Sequence, residues 1–553
     1  MAPDPLDPRL TPGRFLEDAS ARHGDRTALV FEGRTWSYAG LRDEARALAR
    51  GLAGAGVVKG ARVGVWMANR PEWIASAFAV GMLGGVLVPV NTFARPEELA
   101  FILRHSDTSL LLMQASLGER DLVGELLGFH PEIAGGEPGR LRLPALPQLR
   151  RVVVFGGAAA GGVEGREALQ ALGADFPEEL VDATSAEVEP ADDGILVYTS
   201  GTSARPKGVL HAQRSAILQS WRFAELLRLE PSDRVFTTYP FFWTAGIAMS
   251  IGPTLAAGAR LLLLETFEPG AALDLIESGR ATAVHAWPHQ HKAMAEHPSA
   301  PARDLRALRK LDAESPLAKL AGIEKDEYGS GGSYGLSETF TIASMLPCDA
   351  PAELRRQSHG RPLPGVSLRI VDPETGAPLP PGAEGEIAVK GVTFMRGYYK
   401  VPPELYLDAH GYFRTQDAGH LDAQGLLHWS GRLDRLIKTG GANVSPLEVE
   451  EALAAHPDLK LAVAVGVRHP TLGQALVLCA VPVEGARVDE AEIRRYLRER
   501  MAAYKVPRRV LAFRPEELSY TGSQKVQVAP LVEAATRRLE AEGAVIDGHR
   551  YGG

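Results

Sequence analysis

Short apolar runs rich in Val, Leu and Ile recur along the first 270 residues or so, and helical stretches fall between them. RVGVWM from Arg62, RVVVF from Arg151, GILVY from Gly194 and ARLLLLE from Ala259 read as strands. LRDEARALARGLA from Leu41, with Ser37 ahead of it, reads as a helix. Strands of continuous apolar character spaced by helices build parallel sheets covered on both faces. The expected class is therefore α/β, with a large N-terminal domain of parallel-rich sheets covered by helices.

At 553 residues the chain is too long for one ordinary core. Its texture changes near residue 434. SPLEVEEALAAH places Ser445 as an N-cap, Pro446 at the first helical position and Glu448 reaching back, a capping box. KLAVAVGV from Lys460 and ALVLCAVPV from Ala475 read as strands, and EAEIRRYLRERMAAY from Glu490 as a helix. This is enough for a separate small α+β domain, so the expected domains are 1–433 and 434–553.

Trp73 to Val90 runs 18 residues without a charge, the lower edge of what crosses a bilayer. Its glycines and Pro89 favour a buried helix to about Leu83, a break at Gly84 and Gly85, and a short strand. No transmembrane segment is expected. The composition, 45% apolar and 23% charged, is that of a soluble globular protein. A formal net charge of -8 without a basic stripe excludes nucleic acid as the obvious partner and points to small molecules. Two distant cysteines, Cys348 and Cys479, form neither a disulfide framework nor a CxxC site, which fits a reducing cytoplasm. The acidic, proline-containing first residues lack the pattern of a signal peptide.

YTSGTSARPKGVLHA, Tyr198 to Ala212, follows one of the apolar runs. Gly201 and Gly208, hydroxyls at Thr199, Ser200, Thr202 and Ser203, and the cation of Lys207 are the groups that a polyphosphate cradle needs. A flexible linker is the other reading of this stretch taken alone. It is not the P-loop of common NTPases, because Pro206 and Lys207 precede Gly208.

The loop resembles the phosphate loop of the adenylate-forming superfamily, which contains acyl-CoA synthetases, peptide-synthetase adenylation domains and luciferases. YGLSET from Tyr334, YFRTQD from Tyr412, GRLDRLIKTGGANVSPLEVE from Gly431 and YTGSQKVQ from Tyr520 are similar to further family segments, in the family's order. The resemblance implies a two-step reaction. A carboxylate attacks the α-phosphate of ATP to give an acyl adenylate and pyrophosphate, and a thiol, usually that of coenzyme A, then displaces AMP.

Roles follow from the same resemblance. Thr199, Ser200, Gly201, Thr202, Ser203 and Lys207 would embrace the β- and γ-phosphates. Glu338 with Thr199 would hold Mg²⁺, for which oxygen ligands are suited. Tyr334 would stack on adenine, Ser337 would approach the α-phosphate, and Asp417 would accept the ribose hydroxyls with Arg432 nearby. Lys525 would bridge the carboxylate and the α-phosphate. Asp434 matches the hinge about which the mobile C-terminal domain rotates, bringing Lys438, Gly440 and Gly441 to the pantetheine channel.

The sequence also departs from the family. Ser203 and Ala204 replace Thr-Gly, Gln524 replaces the glycine before the catalytic lysine, and DAESPL from Asp312 replaces the Ser-Gly-Gly-Ala-Pro loop of the adenine pocket. In PFFWTAG from Pro240, Trp243 takes the place of a histidine, with Phe242 and Gly246 beside it in the expected acyl pocket. Segments 239–250, 284–292 and 329–342 supply that pocket. It carries no acid between Tyr239 and Ile251 to hold an ammonium group, so an apolar, fatty or aromatic carboxylic acid is expected rather than an amino acid.

Two rival constellations are weaker. GGSYG from Gly331 matches a hydrolase elbow at Ser333, but the overlapping YGLSET explains the same residues. His285, His289 and His291 lie close in sequence, but Pro288 is expected to break any helix that would align the first two, and no acidic or cysteine partner adjoins. The leading expectation is an ATP-dependent carboxylic acid–CoA ligase using Mg²⁺. The alternatives are an adenylating enzyme that loads a carrier protein or another acceptor, and a non-catalytic nucleotide- or acyl-binding homologue. The sequence leaves a homodimer open.

Overall fold

The alternation of strands and helices folds into two parallel-rich sheets. A computed structural model describes residues 3–4, 6–7, 9–94, 96–157, 159–199, 206–329, 331–435, 437–439, 442–501, 503–520 and 526–552, without the side chains at 434, 438, 442 and 443. The chain divides into two compact units, Met1–Leu368 with Val389–Phe413, and Arg369–Ala388 with Arg414–Gly553. The second unit thus begins ahead of the boundary expected at residue 433, which remains a proposal about where a hinge lies.

In the first unit an eight-stranded sheet runs in the order Gly397–Tyr398, Lys207–Ala212, Asp193–Thr199, Val86–Pro89, Arg62–Trp66, Leu110–Gln114, Arg151–Phe155, Val163–Gly165. From Asp193–Thr199 onward all neighbours are parallel, and the two strands before it pair antiparallel. A second sheet runs Ala283–His285, Arg234–Thr237, Arg260–Leu263, Thr27–Phe31, Arg34–Ser37, parallel except for the last pair. Every side chain of Leu110–Gln114 is buried, as a strand covered on both faces requires.

The local signals behave as their chemistry dictates. Ser37 caps the helix Tyr38–Gly54 by accepting a hydrogen bond from the Gly40 amide at 2.9 Å. Trp73 to Val90 is a buried helix, Pro71–Met82, a turn with Gly84 at φ 64°, and the strand Val86–Pro89. Among the described residues no helix is long and apolar enough to cross a membrane.

In the second unit the strands Leu459–His469 and Gly473–Pro482 form an antiparallel hairpin with Arg509–Ala512 parallel beside it. Alternate side chains serve two cores. Val463, Val465 and Val467 face the helix Val528–Ala541, while Ala464, Leu476 and Leu478 pack with Ile493 and Leu497 of Glu490–Arg498.

Two local expectations are corrected. Ser445 does cap the helix Pro446–Ala452, but Glu448 does not reach back; its carboxylate takes the Lys505 ammonium, with one contact at 2.7 Å, a charged partner that outcompetes a backbone amide. The helix from Glu490 stops at Arg498 instead of running on to Tyr504, and a separate single turn follows at Ala503–Lys505.

Candidate active site

The phosphate-loop motif joins two antiparallel strands, with Thr199 directly opposite Lys207. This differs from a P-loop, in which the strand passes into a helix. Ser200, Gly201, Thr202, Ser203 and Ala204 lie outside the described residues. The flank at Tyr198 is firmly held. The Tyr198 hydroxyl meets His105 Nδ1 at 2.8 Å, and burial pushes the phenol well above its ordinary pKa. Next to this contact, Asp107 pairs with Lys400 at 2.9 Å and accepts from the Tyr399 hydroxyl at 2.8 Å.

Lys207 is exposed, and its ammonium lies 5.0 Å from the centroid of the Tyr398 ring. The hydroxyl of the same tyrosine donates to Glu338 Oε1 at 2.5 Å. The structure therefore brings the expected phosphate lysine and the expected metal carboxylate to one aromatic side chain. Tyr398 itself went unnoticed in the sequence, where GYYK carries no signal that its hydroxyl meets a residue 60 positions earlier.

Glu338 belongs to a short turn, Ser337–Thr339, whose exit is strained: Phe340 and Thr341 have φ values of 51° and 84°. Buried donors hold that backbone. His211 Nε2 donates to the Ser337 carbonyl at 2.8 Å, and Gln219 Nε2 donates to the carbonyls of Thr339, Phe340 and Ile342 at 3.1, 3.1 and 2.8 Å. The Met395 amide adds a bond to the Glu338 carbonyl at 2.7 Å. Burial drives the His211 pKa down to about 4, so the ring is neutral near pH 7, and its Nδ1 has no hydrogen-bond partner among the described residues. Tyr334 is buried on the strand Ser333–Tyr334, paired with Ser344–Met345. Carboxylate and hydroxyl oxygens are the donors a hard cation takes, so Glu338 and Thr199 fit Mg²⁺ chemically.

In the second unit Asp417 and Arg432 are cross-strand partners in the pair Phe413–Leu421 and Leu427–Arg432. Arg432 Nη1 lies 3.4 Å from Asp417 Oδ1 and donates to the Thr415 carbonyl at 3.2 Å. The Asp417 side chain is only 3% exposed, so this is no ordinary surface ion pair. Gln416 beside it sits at φ 60°, its amide bound to Glu386 Oε1 at 2.8 Å, which fixes the direction in which Asp417 points. The expected hinge residue Asp434 lies in the single turn Leu433–Arg435, and Lys438 lies in the strand Ile437–Thr439. The side chains of both, together with Gly440, Gly441, Gln524 and Lys525, fall outside the described residues.

The expected acyl segment is aromatic. Trp243 is half-buried, its ring 5.2 Å from Phe242 and 6.4 Å from Trp287, and Tyr239 lies 4.6 Å from Trp287. Gly246 is glycine for a packing reason: a Cβ there would lie 2.3 Å from the Pro240 carbonyl oxygen. Beneath this cluster His285 is half-buried, its pKa pushed down to about 4 by desolvation, and it lies 3.4 Å from Ser250.

The rival constellations resolve on geometry. Pro288 does not break a helix but begins one, Pro288–Ala295, so His285 sits on a strand while His289 and His291 are helical. His291 Nδ1 meets Ser315 at 2.8 Å, and Ser315 caps the helix Pro316–Ala321 within DAESPL. Ser333 sits on a two-residue antiparallel strand rather than on a strand-to-helix elbow.

The family model described as AMP-binding enzyme matches residues 16–399, and that described as AMP-binding enzyme C-terminal domain matches 448–525. The chain belongs to the AMP-binding enzyme family. This AMP-binding enzyme is 32% identical over 513 residues to the feruloyl-CoA synthase of an Amycolatopsis species, covering 90% of this chain and 94% of that protein. It is 30% identical over 521 residues to the indoleacetate–CoA ligase of Aromatoleum aromaticum, covering 94% and 96%. Among solved structures it resembles the anthranilate CoA ligase AuaEII in complex with anthranoyl-AMP, with a TM-score of 0.76, 25% identity and coverage of 96% and 98%. The amide bond synthetase McbA from Marinactinospora thermotolerans is similar too, with a TM-score of 0.75, 29% identity and coverage of 95% and 99%.

Proposed function

We propose that this AMP-binding enzyme is an ATP-dependent carboxylic acid–CoA ligase whose substrate is an aromatic acid. The observation that carries the ligase reading is the meeting of Lys207 and Glu338 on Tyr398. A cation for polyphosphate and a carboxylate for a hard metal ion are the two groups an adenylating site needs first. The aromatic cluster of Tyr239, Phe242, Trp243 and Trp287 supports an aryl substrate, since flat rings gain from offset and edge contacts beyond their buried area. Relatives named for ferulate, indoleacetate and anthranilate support the same class.

In the first step an acid oxygen forms a bond to the α-phosphorus of ATP while the bond to the pyrophosphate oxygen breaks. Lys207 holds the β- and γ-phosphates, Ser337 faces the α-phosphate, Tyr334 stacks on adenine and Asp417 accepts from the ribose hydroxyls, with Arg432 orienting it. Lys525 bridges the two reacting anions and offsets their repulsion. Glu338 and Thr199 would hold Mg²⁺, which when bound would supply charge neutralisation to the polyphosphate. In the second step the thiol sulfur of CoA bonds to the acyl carbon, AMP departs and the thiol proton leaves with it.

The small-molecule partners are thus the acid, ATP and CoA, in the cytoplasm. A second acceptor class is favoured by the likeness to an amide bond synthetase, namely an amine in place of the thiol. The test is a pyrophosphate-release screen over aromatic, fatty and amino acids, run without an acceptor, with CoA and with simple amines. Release with aromatic acids, and a thioester product only with CoA, is expected. A best response to amino acids, or an amide product with no thioester, would overturn the assignment.

A further inference from the structure

The strand Gly397–Tyr398 is an edge element of two residues, yet it is tied closely to both halves of the phosphate-and-metal machinery. It pairs antiparallel with Lys207–Ala212, Tyr398 opposite Val209, and the flanking amides of Arg396 and Tyr399 donate to Leu210 and Gly208 at 2.7 and 2.8 Å. The Met395 amide then grips the Glu338 carbonyl at 2.7 Å. The Tyr398 side chain, only 8% exposed, is boxed by the rings of Tyr406 at 4.9 Å and Phe413 at 6.1 Å, both edge-on. Its rotamer is therefore set by packing. Its two chemically useful parts are left to Lys207, which lies over the ring, and to Glu338, which accepts from the hydroxyl.

A lysine and a glutamate that share one neighbouring side chain can form an ion pair, which would occupy both the phosphate ligand and the metal ligand. Among the described residues no ion pair joins Lys207 to Glu338, and the phenol stands at both of them. A ring face attracts an ammonium without neutralising it. A hydroxyl that donates to one carboxylate oxygen orients the other oxygen and fixes the rotamer, as partners behind a metal ligand commonly do.

We propose that Tyr398 is a positioning residue of this site. Its ring keeps the Lys207 ammonium parked for polyphosphate, and its hydroxyl presents Glu338 to the divalent cation, so that the two charges are held apart and ready. The proposal rests on the reading of Glu338 as the metal carboxylate and divides one side chain into two measurable halves. Tyr398→Phe removes the hydroxyl alone, and Tyr398→Leu removes both parts.

The experiment is calorimetric titration of ATP into the full-length protein over a series of Mg²⁺ concentrations, with the melting temperature recorded for each variant. Tyr398→Phe is expected to raise the half-saturating Mg²⁺ concentration about tenfold or more while leaving the Kd for ATP at saturating Mg²⁺ within about twofold. Tyr398→Leu is expected to raise both. An unchanged Mg²⁺ requirement in Tyr398→Phe, or equal loss of both quantities in the two variants, overturns the proposal. Glu338→Gln separates the two levels. If it leaves the Mg²⁺ dependence untouched, the metal reading itself fails and the proposal with it. If it shifts that dependence and Tyr398→Phe does not, only the role of Tyr398 fails. Should Tyr398→Leu not fold, the Tyr398→Phe result decides alone.

Discussion

Trp243 stands where many members of the superfamily resembled by this chain have histidine, and its neighbours Phe242 and Trp287 are large rings as well. Removing the indole opens space beside these rings, where the proposed aryl acid would sit. Trp243→Ala is expected to raise kcat/KM for bulkier aromatic acids relative to small ones by about tenfold or more. An unchanged ranking across an acid panel would mean that the indole is packing and not part of the pocket. Lys207, Glu338, Asp417 and Arg432 were legible in the sequence because their chemistry sits in short motifs whose order can be read directly. Tyr398 was not, since its importance comes from a strand pairing that brings together residues far apart along the chain. The burial of Asp417 was equally hidden: a carboxylate and an arginine 15 positions apart look like a surface pair until Gln416 and Glu386 are seen to fix them.

The strand Lys207–Ala212 carries Lys207 at one end and, near the other, His211, whose ring supports the turn that holds Glu338. Burial lowers both His211 and His285 from an ordinary value of 6.5 to about 4, so between those two values the unfolded chain binds protons that the native protein refuses. Stability is then fully present above pH 6.5 and falls as the pH drops toward 4, by roughly 2 kcal/mol for each histidine between pH 7 and pH 5. Denaturant unfolding at the two pH values checks this. His211→Asn, which keeps a donor but cannot titrate, is expected to lose less stability over that interval than the parent protein, and identical losses would contradict the assignment. Strands and N-caps were readable because apolar runs and Ser37 or Ser445 act locally. The π-helix Ile247–Ile251 and the diversion of Glu448 to Lys505 were not, because each depends on neighbours distant in sequence.

For the whole molecule, the motif order predicts a division of labour between the residues that grip ATP and the C-terminal region that carries Lys525. If that region serves the two half-reactions in turn, Lys525→Ala should reduce adenylation by on the order of 10² to 10³ while transfer from a supplied acyl adenylate to CoA stays largely intact. Equal loss in both half-reactions would rule out domain rotation about Asp434. The α/β architecture was visible in the spacing of apolar runs, whereas the boundaries of the compact units were not, because 369–388 and 414–433 join the C-terminal unit through tertiary packing that no local texture announces. The central claim is that an acyl adenylate forms before any thiol is engaged. Acid-dependent exchange of labelled pyrophosphate into ATP in the absence of CoA tests this most directly. Exchange that requires the aromatic acid but not CoA, with AMP as the nucleotide product once CoA is added, is the predicted result. Release of ADP and orthophosphate, or exchange that appears only with CoA present, would contradict it.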